Sequence, residues 1–225
     1  MLTLGTKFPD VQAEASGLPG NKIKLYDYLG NSWGLFMSHP NDFTPVCTTE
    51  LAQAAALVGE FAKRNCRLVG FSCNDISSHA EWAKDIVHLA QISGDLPFPI
   101  IADPSREWAK DLGIMDPEEK DKAGLPLTCR SAIFIGNDRR VKALILYPAT
   151  VGRCFKEILR VLDGLQLVEK YPVATPEGWR PGDKVMVQPM LSDEEAKAQL
   201  PKGFETVECP SGMKYMRLAA DPSAQ

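Results

Sequence analysis

Two apolar runs separated by a helical stretch most constrain the fold of this chain. Residues 33–38 and 67–73 are typical of buried strands, and residues from about 45 to 64 favour a helix between them. A strand, a crossover helix and a second strand form a βαβ unit, which places a parallel strand pair in a sheet covered by helices. The sequence therefore predicts an α/β fold.

The same alternation continues along the chain and predicts a central mixed sheet with helices on both faces. The remaining predicted elements are a helix from Ser77 or Ser78 to about Leu89, a helix from Pro104 or Ser105 to Leu112, a hairpin of strands 131–136 and 141–147 across Asn137 and Asp138, and a helix over 152–167.

The sequence changes character near residue 170, where a proline- and glycine-rich connector begins. We predict domains over 1–170 and 171–225. The second domain is too short for a large core, so we expect it to pack on the first domain or on a second subunit. Its predicted elements are a strand over 185–187, a helix opened by Ser192 and a strand over 215–218.

Composition disfavours several classes of function. The chain has 225 residues, of which 25 are basic and 29 acidic, and it lacks a basic run that would suit nucleic acid. No apolar run approaches the roughly 20 residues of a membrane span, and residues 1–7 do not resemble a signal peptide. We expect a cytoplasmic protein without a transmembrane segment that acts on small molecules.

The cysteines and histidines limit the possible metal chemistry. The chain has six cysteines and three histidines, and it contains no C-x-x-C pair, so a zinc site of the usual spacing is disfavoured. We predict neither a metal nor an organic cofactor. In a reducing cytosol the thiols should stay free. Four are predicted as small core residues, namely Cys66, Cys73, Cys129 and Cys154.

Cys47 lies where a helix favours its ionised form. It stands at about the third position of the helix that follows the first strand, with Thr44 as the predicted N-cap and Pro45 at the first helical position. Unpartnered amides and the helix dipole favour a negative sulfur there. Because the thiolate is the nucleophile, the position predicts a reactive cysteine.

Several blocks of the sequence resemble the peroxiredoxins, which are thiol peroxidases with a thioredoxin-like fold. Pro40, Thr44 and Cys47 form the pattern P-x-x-x-T-x-x-C, and Arg130 precedes a strand. The resemblance implies a thioredoxin-like domain with a C-terminal α+β arm, and a homodimer without cofactors. Blocks similar to the 1-Cys, peroxiredoxin-6-like branch lie at 38–51, 96–101, 116–121, 144–153 and 173–176.

The resemblance also implies a role for each residue of the pattern. Cys47 is the expected nucleophile, which hydrogen peroxide or an organic hydroperoxide oxidises to a sulfenic acid. Thr44 is expected to orient the peroxide, and Arg130 to hold positive charge beside sulfur and the developing oxyanion. Pro40 is expected to roof the pocket.

The resemblance also implies that three further residues support this site. His39 is the family's auxiliary polar neighbour, and Glu50 and Arg153 resemble the pair that steadies Arg130. Each residue of the site also has an ordinary structural interpretation, as a helix cap, a strand terminator, a surface charge or a buried thiol.

The number of cysteines in the catalytic cycle depends on the C-terminal part. Two-cysteine relatives carry a resolving thiol in a Val-Cys-Pro element, whereas Thr175 precedes Pro176 here. A one-cysteine cycle is therefore expected, with an external thiol or other reductant. Cys209, followed by Pro210, resembles a resolving motif further downstream, so a two-cysteine cycle stays open.

Two other activities are alternatives. Residues 30–34 match G-x-S-x-G around Ser32, a segment at which some 1-Cys peroxiredoxins are credited with phospholipase A2 activity. However, Ser32 precedes its strand, unlike a nucleophile elbow, and Tyr26 replaces the expected histidine; Asp138 is the nearest acid. A redox sensor or holdase chaperone is the alternative from a different class, whereas a disulfide reductase would need a C-x-x-C pair.

Overall fold

A computed structural model describes residues 2–200 and 202–224. The chain divides between Phe155 and Lys156 into an N-terminal and a C-terminal unit. This division separates compact units. The domain boundary that we predict near residue 170 stays a prediction.

The N-terminal unit alternates strands and helices. Its strands are β1 (Gln12–Ser16), β2 (Lys22–Lys24), β3 (Trp33–Ser38), β4 (Cys66–Ser72), β5 (Ile100–Ala102), β6 (Met115–Lys120), β7 (Pro126–Thr128), β8 (Arg130–Ile135) and β9 (Val141–Tyr147). Its helices are α1 (Leu25–Leu29), α2 (Pro45–Ala56), α3 (Val58–Lys63), α4 (Ile76–Ala90) and α5 (Glu107–Leu112).

A seven-stranded mixed sheet has the order β2-β1-β5-β4-β3-β8-β9. β3, β4 and β5 are parallel, whereas β8 is antiparallel to β3 and to β9, so the predicted βαβ unit and hairpin are confirmed. Phe36, Val69 and Phe71 join residues of α1 and α5 in one buried core. Because successive side chains of a strand point to opposite faces, the fully buried Leu35 and Met37 belong to the other face.

The crossover from β3 to β4 contains two helices rather than the single predicted one. α2 ends at Ala56 and α3 begins at Val58, since Leu57 leaves the helical region with φ of −98° and ψ of 6°. Gly59 weakens helix propensity in the same turn. The start of α2 agrees with the prediction, because Thr44 is its N-cap residue and Pro45 its first helical residue.

Two other helix starts were predicted wrongly. Asp75, not Ser77 or Ser78, caps α4, since its carboxylate accepts a hydrogen bond from the Ser78 N–H at 2.8 Å. α5 begins only after Arg106, whose φ of 63° is left-handed and therefore non-helical, so residues 104–105 do not open it.

The C-terminal unit holds a second, smaller sheet. Its elements are α6 (Phe155–Lys170), β10 (Val173–Ala174), β11 (Val185–Val187), α7 (Asp193–Gln199), β12 (Phe204–Thr206) and β13 (Arg217–Ala219). The strands are antiparallel in the order β10-β11-β13-β12. Ser192 opens α7, as predicted, and forms a capping box with Glu195. The strand predicted over 185–187 is confirmed, whereas the helix predicted over 152–167 and the strand predicted over 215–218 are displaced toward the C-terminus.

Within the described part of the chain, every helix is too short or too polar to cross a membrane.

Phe36 should be a main stabilising residue of the N-terminal core. Its ring lies 5.2 Å from that of Phe8 and 5.1 Å from that of Phe71 between centroids. Phe36→Ala should lower the free energy of unfolding by roughly 3–5 kcal/mol, because it removes apolar contacts and leaves a cavity. Urea unfolding followed by circular dichroism measures this change. Leu89→Ala, at a position that is 49% exposed, should cost about 0.5 kcal/mol or less, and equal losses would contradict the assignment.

Candidate active site

Cys47 is the third residue of α2 and its side chain is completely buried. The Thr44 hydroxyl does not cap the helix, although Thr44 occupies the N-cap position. It donates instead to the Asn41 carbonyl at 2.9 Å. Thr44 is thus at the predicted N-cap position, but its side chain does not make the predicted capping hydrogen bond. The N–H groups in the first turn of α2 therefore receive no acceptor from this hydroxyl.

Arg130 brings a fixed positive charge to the sulfur. It is the first residue of β8, it is buried, and its Nη1 lies 3.2 Å from Cys47 Sγ. The same Nη1 donates to Glu50 Oε2 at 2.8 Å, and Nε donates to the Ala149 carbonyl at 3.0 Å. Water screens buried charges little, so the guanidinium places a fixed and weakly screened positive charge beside the sulfur.

Glu50 lies between two arginines. Arg153 donates to its carboxylate from Nη2 at 2.8 Å, from Nε at 3.1 Å and from the backbone N–H at 2.6 Å. Together Arg130, Arg153 and Glu50 carry one net positive charge beside Cys47. Burial would raise the pKa of Glu50, but the attraction of Arg153 and then Arg130 outweighs it and holds that pKa below its ordinary value.

A second buried cluster adjoins the start of α2. His39 and Pro40 follow β3 directly, and both are buried. His39 Nε2 lies 2.8 Å from Asp42 Oδ1, and His79 Nδ1 lies 2.8 Å from Asp42 Oδ2. Burial would raise the pKa of Asp42, but the hydrogen bonds from His39 and His79 hold it well below its usual range. Burial lowers the pKa of His39 despite its carboxylate partner.

His39, Asp42 and His79 are the one group in the described ranges whose side chains could supply three metal ligands. Zinc in a structural site has four ligands at about 2.0–2.3 Å. Here both Asp42 oxygens already accept hydrogen bonds from the imidazoles at 2.8 Å, so the contacts are those of a hydrogen-bonded triad. Sequence reasoning missed Asp42 and His79, because only the fold brings α4 beside the loop that follows β3.

Three other thiols of the N-terminal unit are buried. Burial raises the pKa of Cys66 to about 12 and that of Cys73 and Cys129 to about 11, so all three stay protonated at neutral pH. Their prediction as core residues is confirmed. The same prediction for Cys154 is wrong, because Cys154 is exposed while its neighbour Arg153 is turned inward.

The residues of the G-x-S-x-G hypothesis have other partners. The Ser32 hydroxyl donates to Asn65 Oδ1 at 2.8 Å, and Asp138 accepts a hydrogen bond from Lys142 Nζ at 2.9 Å. The Tyr26 hydroxyl donates to a backbone carbonyl, and burial raises its pKa, so it stays protonated near neutral pH and does not act as a general base. Phospholipase activity stays a minor alternative.

Comparison with known proteins gives matches over nearly the whole chain. The AhpC/TSA family matches residues 4–144, and the C-terminal domain of 1-Cys peroxiredoxin matches residues 164–203. Peroxiredoxin-6 of Gallus gallus is 50% identical over 226 residues, and peroxiredoxin-6 of Homo sapiens is 49% identical over 223 residues. Each alignment covers 98% of both chains.

Solved structures agree with these matches. A cysteine-to-serine mutant of peroxiredoxin 6 of Arenicola marina is similar with a TM-score of 0.95 at 48% identity, and the alignment covers 100% of both chains. A yeast mitochondrial 1-Cys peroxiredoxin is similar with a TM-score of 0.85 at 37% identity, covering 98% of this chain and 100% of the other.

The chain therefore belongs to the AhpC/TSA family of peroxiredoxins. Within it, the similarity places the chain with the 1-Cys, peroxiredoxin-6-like branch, whose members are thiol-dependent peroxidases. The expected family, enzyme class and thioredoxin-like α/β fold with a C-terminal arm are confirmed. The roles of the individual site residues stay predictions.

Acid should weaken the fold through Glu50. Because its pKa is lower in the folded chain, its stabilisation is complete above the ordinary value of 4.5 and is lost as the pH falls through the folded value. Glu50→Gln should cost roughly 3–5 kcal/mol at pH 7, since it leaves buried arginines unpaired. The difference from wild type should shrink between pH 4.5 and pH 3.

Urea unfolding across this pH range measures the difference. Glu81→Gln removes an exposed carboxylate paired with Lys84 at 3.4 Å and is the matched control, which should track wild type within about 0.5 kcal/mol. A Glu50→Gln difference that stays constant down to pH 3 would contradict the electrostatic interpretation.

Proposed function

We propose that Cys47 is the nucleophile that reduces hydrogen peroxide and organic hydroperoxides. The observation that supports this assignment most strongly is the 3.2 Å approach of Arg130 Nη1 to Cys47 Sγ. The thiolate attacks one peroxide oxygen, so that an S–O bond forms while the O–O bond breaks. Sulfur is oxidised by two electrons to a sulfenic acid. The leaving hydroxide or alkoxide takes up a proton and becomes water or an alcohol.

Thr44 and Arg130 are the proposed binding groups for the peroxide. Because the Thr44 hydroxyl donates to the Asn41 carbonyl, its oxygen lone pairs can accept a hydrogen bond from the peroxide O–H. Arg130 Nη1 lies between the sulfur and Glu50, where it can stabilise charge that develops on the departing oxygen. The buried Pro40 has no N–H and suits a roof that excludes water.

Glu50, Arg153 and His39 are proposed as supporting residues. Glu50 accepts from both arginines, and Arg153 also donates to the Ser38 carbonyl at 2.9 Å, which ties the end of β3 to the charged cluster. This network holds Arg130 in one orientation, so that its guanidinium need not reorient during the reaction. His39 supports the loop through Asp42.

The proposed cycle uses one cysteine. An external thiol attacks the sulfenic sulfur, which forms a mixed disulfide and releases water, and a second thiol then restores Cys47. Thr175 at the position of the resolving thiol supports this cycle. So does the similarity to the yeast mitochondrial 1-Cys peroxiredoxin, whose thiol is resolved via glutathione and thioredoxin systems. Cys209, partly exposed in the C-terminal unit, is the alternative resolving thiol.

One equivalent of hydrogen peroxide should add one oxygen atom to the wild-type chain and none to Cys47→Ser. Intact-mass spectrometry measures the product. Cys154→Ser, which removes an exposed thiol outside the site, is the matched control and should gain the oxygen. A loss of two hydrogens that disappears in Cys209→Ser would instead establish a two-cysteine cycle. An oxygen that persists in Cys47→Ser would overturn the choice of nucleophile.

We further propose a homodimer that forms through β9. This strand is one edge of the seven-stranded sheet, and Leu146 on it is 53% exposed. An edge strand with unpaired backbone groups and apolar side chains is a template for pairing with another chain. Two antiparallel copies of β9 would join the sheets about a two-fold axis.

The proposed location is the cytoplasm. All six cysteines are free, as expected in a reducing compartment.

Leu146→Asp should convert the proposed dimer into a monomer, because it places a charge on the paired edge. Sedimentation velocity measures the mass of each species. Leu89→Asp, at a position on α4 that is 49% exposed, is the control and should stay dimeric. A monomeric wild type, or a Leu146→Asp variant that stays dimeric, would reject this interface.

A further inference from the structure

The turn that precedes α2 is strained. We call residues 41–44 the active-site turn. Phe43 in this turn has φ of 52°, in the left-handed region that an aromatic residue rarely adopts. Its side chain is 57% exposed and its ring lies 6.5 Å from that of Trp82 between centroids, so this ring contact is one restraint on the turn. Such a residue persists only where its surroundings over-determine the backbone.

Asp42 supplies much of this restraint. Its carboxylate, almost completely buried, accepts hydrogen bonds from His39 at 2.8 Å, from His79 at 2.8 Å and from the Ser78 hydroxyl at 2.7 Å. His79 and Ser78 belong to α4, which the sequence separates widely from the turn. The carboxylate therefore fastens the active-site turn to a helix of the core.

Both histidines donate a hydrogen bond to the Asp42 carboxylate. An ionised carboxylate only accepts hydrogen bonds, so His39 donates from Nε2 and His79 from Nδ1. The opposite nitrogens, His39 Nδ1 and His79 Nε2, are buried without a partner in the described residues. An additional proton on either ring would lack an acceptor, and each ring is thereby held in one tautomer.

A second set of bonds carries the restraint to Thr44. Asn74 accepts from the Asp42 N–H at 3.1 Å and donates from Nδ2 to Asn41 Oδ1 at 2.6 Å. The Asn41 carbonyl in turn accepts the Thr44 hydroxyl. The position of that hydroxyl thus depends on Asn41 and Asn74 as well as on Asp42.

Trp82 of α4 contacts both His39 and the first turn of α2. Its ring lies 4.8 Å from that of His39 between centroids, and its Nε1 donates to the Thr48 hydroxyl at 3.0 Å. Thr48 donates onward to the Thr44 carbonyl at 2.8 Å. α4 therefore contacts both the active-site turn and the first turn of α2.

We propose that Asp42 and His79 are positioning residues of the peroxidase site, which hold the active-site turn so that the Thr44 hydroxyl aligns a peroxide with Cys47. This inference rests on the proposed roles of Thr44 and Cys47. Aligned attack on the O–O bond is sensitive to displacements of about 1 Å. Alkylation of Cys47 by iodoacetamide needs the thiolate but no contact with Thr44, so the two reactions separate alignment from reactivity.

Asp42→Asn keeps the size of the side chain but removes the charge that accepts from both histidines. It should lower kcat/KM for hydrogen peroxide by about 10–100-fold, whereas the rate of iodoacetamide alkylation should stay within about twofold of wild type. Stopped-flow fluorescence and mass spectrometry measure the two rates. Asp75→Asn, at the exposed N-cap of α4, is the matched control and should keep both rates.

A pair of variants at His79 tests the same restraint from α4. His79→Asn retains an amide donor close to the position of Nδ1, whereas His79→Leu removes the donor. His79→Leu should lower the peroxide rate by roughly tenfold, and His79→Asn should restore most of it. If circular dichroism shows that Asp42→Asn does not fold, the comparison of these two variants decides the question.

Three results would overturn the inference. They are a wild-type peroxide rate in both Asp42→Asn and His79→Leu, a parallel loss of peroxide and iodoacetamide reactivity, and a peroxide rate as low in His79→Asn as in His79→Leu. The proposed function fails on a different result, namely peroxide reduction that survives Cys47→Ser.

Discussion

The buried ion cluster of Arg130, Glu50 and Arg153 is the interaction on which the site depends. It joins α2, the start of β8 and the segment before α6, and it leaves one net positive charge beside Cys47. A lone buried guanidinium would be costly, and Glu50 offsets that cost without cancelling the field at the sulfur. Stability and reactivity are thus coupled, because the carboxylate that offsets part of the arginines' charge also fixes the positions of the guanidinium groups.

The site combines two kinds of restraint that differ in physical character. The arginine cluster supplies charge, which acts over several ångströms and tolerates small displacements. The contacts of α4 supply geometry, since hydrogen bonds to Asp42 and Asn74 fix a left-handed turn that would otherwise relax. Reduction of a peroxide requires both charge and geometry, because the nucleophile is the thiolate and the O–O bond must lie along its line of attack.

Sequence reasoning located the elements that carry the strongest local signals. The apolar runs of β3 and β4, the Thr44-Pro45 start of α2 and the Ser192 start of α7 all have clear local patterns. It failed where competing local contacts decide the outcome. Asp75 displaced two serines as the cap of α4, and Cys154 turned outward because Arg153 turned inward.

The sequence by itself determined the family, the α/β class, and the placement of Cys47 in the first turn of a helix, because these follow from local patterns and short motifs. Only the tertiary structure decided that Arg130 reaches the sulfur, that Glu50 separates two arginines, and that His79 and Asp42 meet. The physical reason is that these contacts join residues far apart in the chain. Sheet register and helix packing, rather than spacing along the sequence, set the distances between them.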